Sequence, residues 1–489
     1  MRDGDELAGR QPQKSIYINL SERNLSVIVH SLFSSWMLAF LFEGQIFYSI
    51  ANTYKIDPTA LVFCSATAIF AGLLLCGLFV RTKKAAKQMF LGSYLIFIAL
   101  SVSFFFPPSI LWFAGIITGS FLAGGCVAAF AFYLKSGTAK NERIKTVADM
   151  LILSNVLMIL LNMAAIHISG RVGLALSMIM LMCAFAFALK LPTDNDASTV
   201  PPERKENHVS ITKLIAFLYL FIVIITINSG LMYQLVNPAF AHLEWLTSWY
   251  WALPYIAALF VIRNLPRRIN RTYILYAAIA MIGLSYIGFM SLGRGAVSYL
   301  MINTLMLGAF GVYDLFWWSI LGEMLELNKN PAKILGIGLS ANLLGVLLGG
   351  LIGRAITTSN MYSPNPTLLA LVVVCVTLVL LPPLQKYLSS LLKGHVYLTE
   401  FSELSAVEQT NQIDRTSRFG NLSERESQVA SLLLQGKTYR TIAGELYISE
   451  NTVKYYVKNI YSKFNIQSRA ELINIMLKKE DMSEPEKYS

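Results

Sequence analysis

The sequence predicts an all-α chain in two parts: a polytopic membrane bundle of twelve helices, then a small soluble module of four short ones. Three observations predict it. The 489 residues are 55% hydrophobic and 14% charged, too apolar for a soluble protein of this length. Twelve apolar runs lie between Ser26 and Leu384, each near the roughly 20 residues that a hydrocarbon core about 30 Å thick requires. Beyond them the chain turns polar, and from Leu422 it carries four helix starts in close order.

Residues 1–25 are polar and charged, with no apolar stretch or small-residue cleavage site. They predict a cytoplasmic tail rather than a removable signal peptide. The membrane domain is expected over 26–386, with spans starting near Ser26, Ala60, Gln88, Ser109, Thr146, Val172, Leu214, Trp245, Tyr273, Ala296, Ile334 and Thr367. A polar loop, 191–213, divides it into halves 26–190 and 214–386. Counting Lys and Arg, the amino terminus and even-numbered gaps carry 22, whereas the odd gaps carry four: Lys55, Arg171, Arg294 and Arg354. That bias predicts both termini in the cytoplasm and a multi-pass protein of the bacterial inner membrane. Basic turns recur at matching places, RTKK after span 2 and PRRINR after span 8, as an internal repeat would place them.

Six spans plus six, both ends inside and a long central loop resemble the major facilitator superfamily over roughly residues 26–386. The resemblance rests on topology and implies a central cavity lined by spans 1, 4, 7 and 10. In one place the chain departs from the pattern. Where that family has Gly-x-x-x-Asp-Arg-x-Gly-Arg-Arg after span 2, this chain reads GLFVRTKKAAK, keeping Gly77 but not the Asp.

A charge within lipid costs several kcal/mol and marks a cavity or a partner, which singles out Glu43 in span 1 and Asp314 in span 10. At 1.5 Å per residue they lie about 26 Å and about 11 Å from the cytoplasmic end, too far apart for one site. Trp36 and Phe47 accompany the first; Tyr313, Phe316, Trp317 and Trp318 accompany the second. A carboxylate with aromatic faces suits a cationic or amphipathic small molecule, although the second cluster also reads as an interfacial belt. Asn228, Tyr233, Gln234 and Asn303 are polar contacts or packing, and His30 reads as a packing histidine. The ligand-sensing candidates are Glu43, Asp314, Trp36, Asn228 and Trp317.

Glycines at four-residue spacing, Gly115 with Gly119 and Gly345 with Gly349 and Gly353, are expected where helix backbones meet. All five cysteines, Cys64, Cys76, Cys126, Cys183 and Cys375, lie in apolar runs without a C-x-x-C pair. They are expected as buried free thiols rather than disulfides or metal ligands. No nucleophile with a base partner, metal cluster or Gly-rich phosphate cradle is visible, so neither an enzyme nor a cofactor is expected.

Residues 387–421 read as a linker, 422–480 as the module and 481–489 as a tail. Ser423 with Glu426 makes a capping box for a first helix, which Gly436 ends; Thr438 caps a second, Ser449 a third, and Ser468 with Glu471 opens a fourth. On the third, Val453, Tyr456, Val457, Ile460 and Phe464 form one apolar stripe, and Asn451, Thr452, Lys454, Tyr455, Lys458 and Asn459 face away. The tight turn from Tyr447 to Ser449 makes helices two and three a helix-turn-helix, whose second helix enters the major groove of DNA.

Here the chain resembles the LuxR family of bacterial regulators, through Leu422, Ser423, Arg425, Glu426, Gly436, Ile442, Ala443, Leu446, Ile448, Ser449, Thr452, Val453, Lys454, Ile460, Lys463 and Arg469. Tyr456 stands where that family usually has His, Thr441 where it has Glu, and Phe464 where it has Leu. The resemblance implies DNA contacts by Thr452, Val453, Lys454 and Lys458, with Tyr455 on the same face and Lys437 and Arg440 near the backbone. Helix four is apolar on nearly every side, and Leu472, Ile473 and Met476 are the candidates for pairing two copies on a palindromic operator. The expected function is a membrane-embedded, one-component transcriptional regulator whose transporter-like domain senses a small molecule. Its expected partners are double-stranded DNA, membrane lipid, that ligand and a second copy. The alternative is a secondary transporter with a regulatory DNA-binding tail.

Overall fold

The computed structural model describes residues 21–42, 44–193, 211–265, 271–358, 367–384, 422–434, 437–464, 466, 469, 471 and 472. Glu43, Gly436, Ser468, Ile473 and Met476, the linker, residues 1–20 of the amino-terminal tail and the carboxy-terminal tail lie outside the described residues. Among the described residues, twelve helices are long and apolar enough to cross a membrane: Glu22–Thr53, Thr59–Phe79, Lys83–Phe105, Ile110–Gly137, Arg143–His167, Gly170–Leu189, Ile215–Ala239, Glu244–Asn264, Ile274–Ser291, Ala296–Met324, Pro331–Ile356 and Thr367–Leu384. They are numbered as spans 1 to 12. Spans 1, 3, 5 and 11 begin three or more residues earlier than hydropathy predicts. Span 3 starts at Lys83 because the Thr82 hydroxyl accepts the Ala85 N–H, and span 5 starts at Arg143, whose guanidinium is buried and held.

Span 1 is not one continuous α-helix. Its first part, Glu22–Trp36, passes into a wider π turn, Met37–Leu41, and a new helix runs from Gln45 to Thr53. Gly44 makes the crossing possible, since a Cβ there would overlap the Ala39 backbone. Span 7 repeats the device: helix to Leu231, a π turn over Met232–Val236, then a short helix begun by Asn237 and Pro238. A wide turn in the first span of each half is a structural counterpart of the basic turns that recur in sequence, and such turns concentrate at functional sites.

Close backbone approach follows glycine, though not at every predicted position. Gly349 in span 11 packs on the Ile227 carbonyl and Gly230 in span 7 on the Val346 carbonyl, while a Cβ on Gly353 would come 2.8 Å from that of Gln234. Gly115 and Gly119 meet only side chains, no nearer than 3.6 Å, so the spacing misidentified them. The contact of spans 2 and 4 is made instead by Gly72 on the Phe121 carbonyl and Gly124 on that of Ile69.

All five cysteines are free, and the expectation that all are buried needs correction. Cys76 and Cys126 are enclosed, but Cys64, Cys183 and Cys375 are exposed on their spans. In span 10, Tyr313, Trp317 and Trp318 are buried rather than arrayed as an interfacial belt.

The module is all-helical, with Glu424–Leu434, Tyr439–Leu446 and Glu450–Lys463 as its first three helices. Val429, Leu433, Ile442, Val457, Ile460 and Leu472 enclose its core, each at most 4% exposed.

Candidate functional site

Spans 1, 5, 7, 8, 10 and 11 enclose a cavity of about 920 Å³. Both π turns reach its wall, through Met37 and Leu38 in one half and Met232 and Tyr233 in the other. Its floor holds His30, Trp317 and Trp318, all buried. At the end opposite the basic gaps it reaches exposed residues, Asn52, Ile56, Ala241 and Glu244, and is open there. Span 4, expected on the wall, contributes only Val127; span 5 takes its place with Met150, Ser154, Asn155, Met158 and Asn162.

Of the ligand candidates among the described residues, Asp314 and Trp317 lie on the wall. The Tyr255 hydroxyl donates to Asp314 Oδ2 at 2.6 Å. Trp36 does not reach the cavity: it stacks on Phe97 at 4.6 Å and donates its indole N–H to Ser101 Oγ at 3.3 Å. Asn228 is fully buried off the wall; its main-chain carbonyl accepts the Tyr286 hydroxyl at 2.8 Å, and its side-chain amide has no hydrogen-bond partner among the described residues. Both candidates are corrected because hydropathy does not tell a cavity-facing side of a span from one packed on a neighbouring span. His30 packs as expected, 4.3 Å from Phe130 in a stacked pair, but its Nδ1 has no hydrogen-bond partner.

The basic end is shut by polar ties between the two halves. Asp149 in span 5 accepts Arg23 at 2.7 Å and also pairs with Arg263 at the end of span 8. Glu326, after span 10, takes Arg143 at 2.6 Å and Lys135 at 3.4 Å. Burial alone would raise the Glu326 carboxyl, and the two cations more than reverse that, holding it below the usual glutamate value. The Asn330 amide donates to the carbonyls of Gly77 at 2.7 Å and Val80 at 3.1 Å. A neutral amide thus ties the halves at the loop that lacks the family's carboxylate. The sequence reading overlooked Asp149, Tyr255 and Asn330. The signal for Asp149 was a carboxylate one turn inside a span that opens with basic residues.

In the module the predicted capping box is present: Ser423 N–H donates to Glu426 Oε2 at 2.7 Å, and Glu426 N–H to Ser423 Oγ at 3.3 Å. Glu426 is 4% exposed and also receives Lys463 at 2.6 Å, which bolts helix one to the end of helix three. Burial would raise its carboxyl, but Lys463 and the Ser423 groups together hold it below the usual glutamate value. A group depressed in this way adds stability above its unfolded value, near 4.5, and loses it as pH falls through the folded one. Glu426→Gln is therefore expected to cost about 2 kcal/mol at pH 7. Thermal unfolding of the module should show this difference shrinking as the pH is lowered below 4.5.

Thr438 caps helix two by accepting the Thr441 N–H at 3.2 Å. The chain turns at Tyr447 with φ 54°, and Ser449 caps helix three through the Thr452 N–H at 3.1 Å. That left-handed residue makes the turn tight. Lys454, Tyr455, Lys458 and Arg440 are exposed and Thr452 is half-buried, with Lys454 lightly held by Glu450 at 3.6 Å. Lys437 pairs with Glu445. Val453 is 0% exposed, in the core, so it positions the helix and is removed from the DNA-contact set; its place in the apolar stripe was the correct reading. Leu472 is likewise enclosed by its own module and is removed from the dimer candidates.

A family model for bacterial regulatory proteins of the luxR family, GerE, matches residues 420–476. The spore germination protein GerE of Bacillus subtilis is 39% identical over 57 residues, 12% of this chain and 77% of that protein. Of other curated regulators it matches, the chain spans about a third, 29% and 34% of two of them. Two solved structures resemble the membrane part. The human organic anion transporter MFSD10 has a TM-score of 0.55 and 13% identity, over 74% of this chain and 98% of that one. The major facilitator superfamily transporter FucP, in the outward conformation, has a TM-score of 0.53 and 12% identity, over 74% and 98%. The likeness is one of fold: a multi-pass, major-facilitator-like bundle carrying a luxR-type helix-turn-helix module.

Proposed function

We propose, from the premise that the chain belongs through its C-terminal module to the bacterial regulatory proteins of the luxR family, that it is a one-component transcriptional regulator driven by its own membrane domain. A ligand enters the cavity, shifts the bundle between arrangements, and alters how the modules are presented to DNA. One observation carries the reading: a single chain joins an exposed face of Lys454, Tyr455 and Lys458 to a bundle open at one end and tied shut at the other. Both termini face the cytoplasm of a bacterium in this reading, as the basic gaps favour. Two modules bind a palindrome, because one recognition helix makes few contacts. The ligand acts only through the difference in its affinity for the two arrangements.

The test uses the full chain in lipid nanodiscs. Thermal shift identifies ligands, and footprinting on the chain's own promoter region is then done with and without each hit. A hit that changes occupancy supports the reading; stabilising hits that leave occupancy unchanged overturn it. Reporter fusions placing residues 422–480 outside the cell would also overturn it.

A second reading, a transporter with a regulatory tail, is favoured by the open cavity and the shared fold. Uptake into vesicles that Asp314→Asn abolishes would support it. Normal regulation by a protein that carries out no uptake would exclude it.

A further inference from the structure

The cavity wall is asymmetric in charge. Among the described residues that line it are two carboxylates, Asp314 and Glu244, and neither lysine nor arginine. Glu244 is exposed at the open end, whereas Asp314 is half-buried well inside, on the span 10 segment that leads down to Trp317. Five of the bundle's arginines and lysines are committed elsewhere: Arg23 and Arg263 to Asp149, Arg143 and Lys135 to Glu326, and Lys83 to Glu22. Asp314 receives one hydrogen bond, on Oδ2 from Tyr255, and no cation of the described chain pairs with it. An ionised carboxylate removed from water needs a counter-charge. Here the described residues supply none.

A second, independent orphan lies one turn away. Trp317 is 2% exposed, lines the same cavity, and its indole N–H has no acceptor. At three residues' separation it shares a helix face with Asp314. The wall therefore presents an anion without a cation and a donor without an acceptor side by side, and Tyr233 and Trp251 line the same cavity.

We propose that this site binds an organic monocation that also carries a hydrogen-bond acceptor: its ammonium or similar head is held at Asp314, and its acceptor takes the Trp317 N–H. Glu244 at the open end raises the local concentration of cations there. The volume suits a ligand of drug-like size. The proposal rests on the sensor reading above only for its consequence at DNA; the binding chemistry stands on the cavity alone.

The experiment measures equilibrium binding to the full chain in nanodiscs. The probes are two monocations of different size, benzoylcholine and tetraphenylphosphonium, each beside a counterpart of matching shape: uncharged 3,3-dimethylbutyl benzoate and anionic tetraphenylborate. The expected result is saturable binding of at least one cation, at least tenfold tighter than its counterpart. Asp314→Asn should weaken that cation at least tenfold and leave the counterparts unchanged. Asparagine keeps the acceptor for Tyr255, so unaltered thermal unfolding of the unliganded variant shows that the fold survives. Trp317→Phe should weaken benzoylcholine, which carries an ester acceptor, more than tetraphenylphosphonium, which carries none. Binding of neither cation, equal binding of a cation and its counterpart, or indifference to Asp314→Asn would each overturn the proposal. Footprinting of the same samples separates the two ideas. Asp314-dependent cation binding without any change at DNA would leave this site standing and remove the sensor reading, whereas a neutral ligand that changes occupancy would do the reverse.

Discussion

Replacing Lys454 and Lys458 together by alanine is expected to flatten the salt dependence of DNA binding in a way that also counts the modules. Each neutralised phosphate contributes about −0.9 to the slope of log K against log salt. Two lysines on one module thus remove about 1.8 units, roughly 30-fold in affinity at 0.15 M salt. Two modules on a palindrome remove about 3.6 units, roughly 10³-fold. The variant should fold normally, because both side chains are exposed and, among the described residues, the only tie broken is the 3.6 Å pair of Lys454 with Glu450, worth a few tenths of a kcal/mol. Gel retardation or fluorescence anisotropy across a salt series reads the slope directly. An unchanged slope would remove the third helix from the DNA interface. A change near two rather than four would retain it there and refute pairing.

The second large effect is expected at the basic end. Asp149→Asn leaves Arg23 and Arg263, one from each half, facing the same site without the carboxylate that both share. Charge-assisted hydrogen bonds of this kind are worth about 2 kcal/mol, so the balance between closed and open should move about 30-fold towards open. Spin labels at Lys145→Cys and Lys329→Cys, in a background without the five native cysteines, bracket this end from the two halves. Their distance distribution should gain a longer component in the variant. A single unchanged distance would show that the Asp149 ties do not hold the halves together.

Much of this was legible before any coordinates. The twelve spans follow from hydropathy, because a backbone in lipid has no partner for its polar groups outside a helix. The module's caps follow from the chemistry of orphan N–H groups, and Ser423, Glu426, Thr438 and Ser449 act where the spacing puts them. What sequence did not carry is orientation. Only packing decides that Trp36 stacks on Phe97 and that Asn228 is buried away from the cavity. Asp314 was found because a lone carboxylate in an apolar run is conspicuous; its partner Tyr255 was not, since a tyrosine in a span is ordinary. The π turns left no mark but Gly44 and Pro238. Val453 was placed both in the core and at the DNA, and periodicity was the better guide of the two.

The three ties across the basic end, at Asp149, Glu326 and Asn330, have a consequence for dose. At about 2 kcal/mol for each of the two charged ties and about 1 kcal/mol for the amide they bias the resting balance by roughly 5000-fold, and in the proposed regulator any ligand must outweigh that bias before a response begins. Bond strength at one face of the bundle therefore sets the threshold at which the opposite face is heard. Trimming a single tie should raise basal output and let a lower concentration suffice, with the ligand's own contacts untouched.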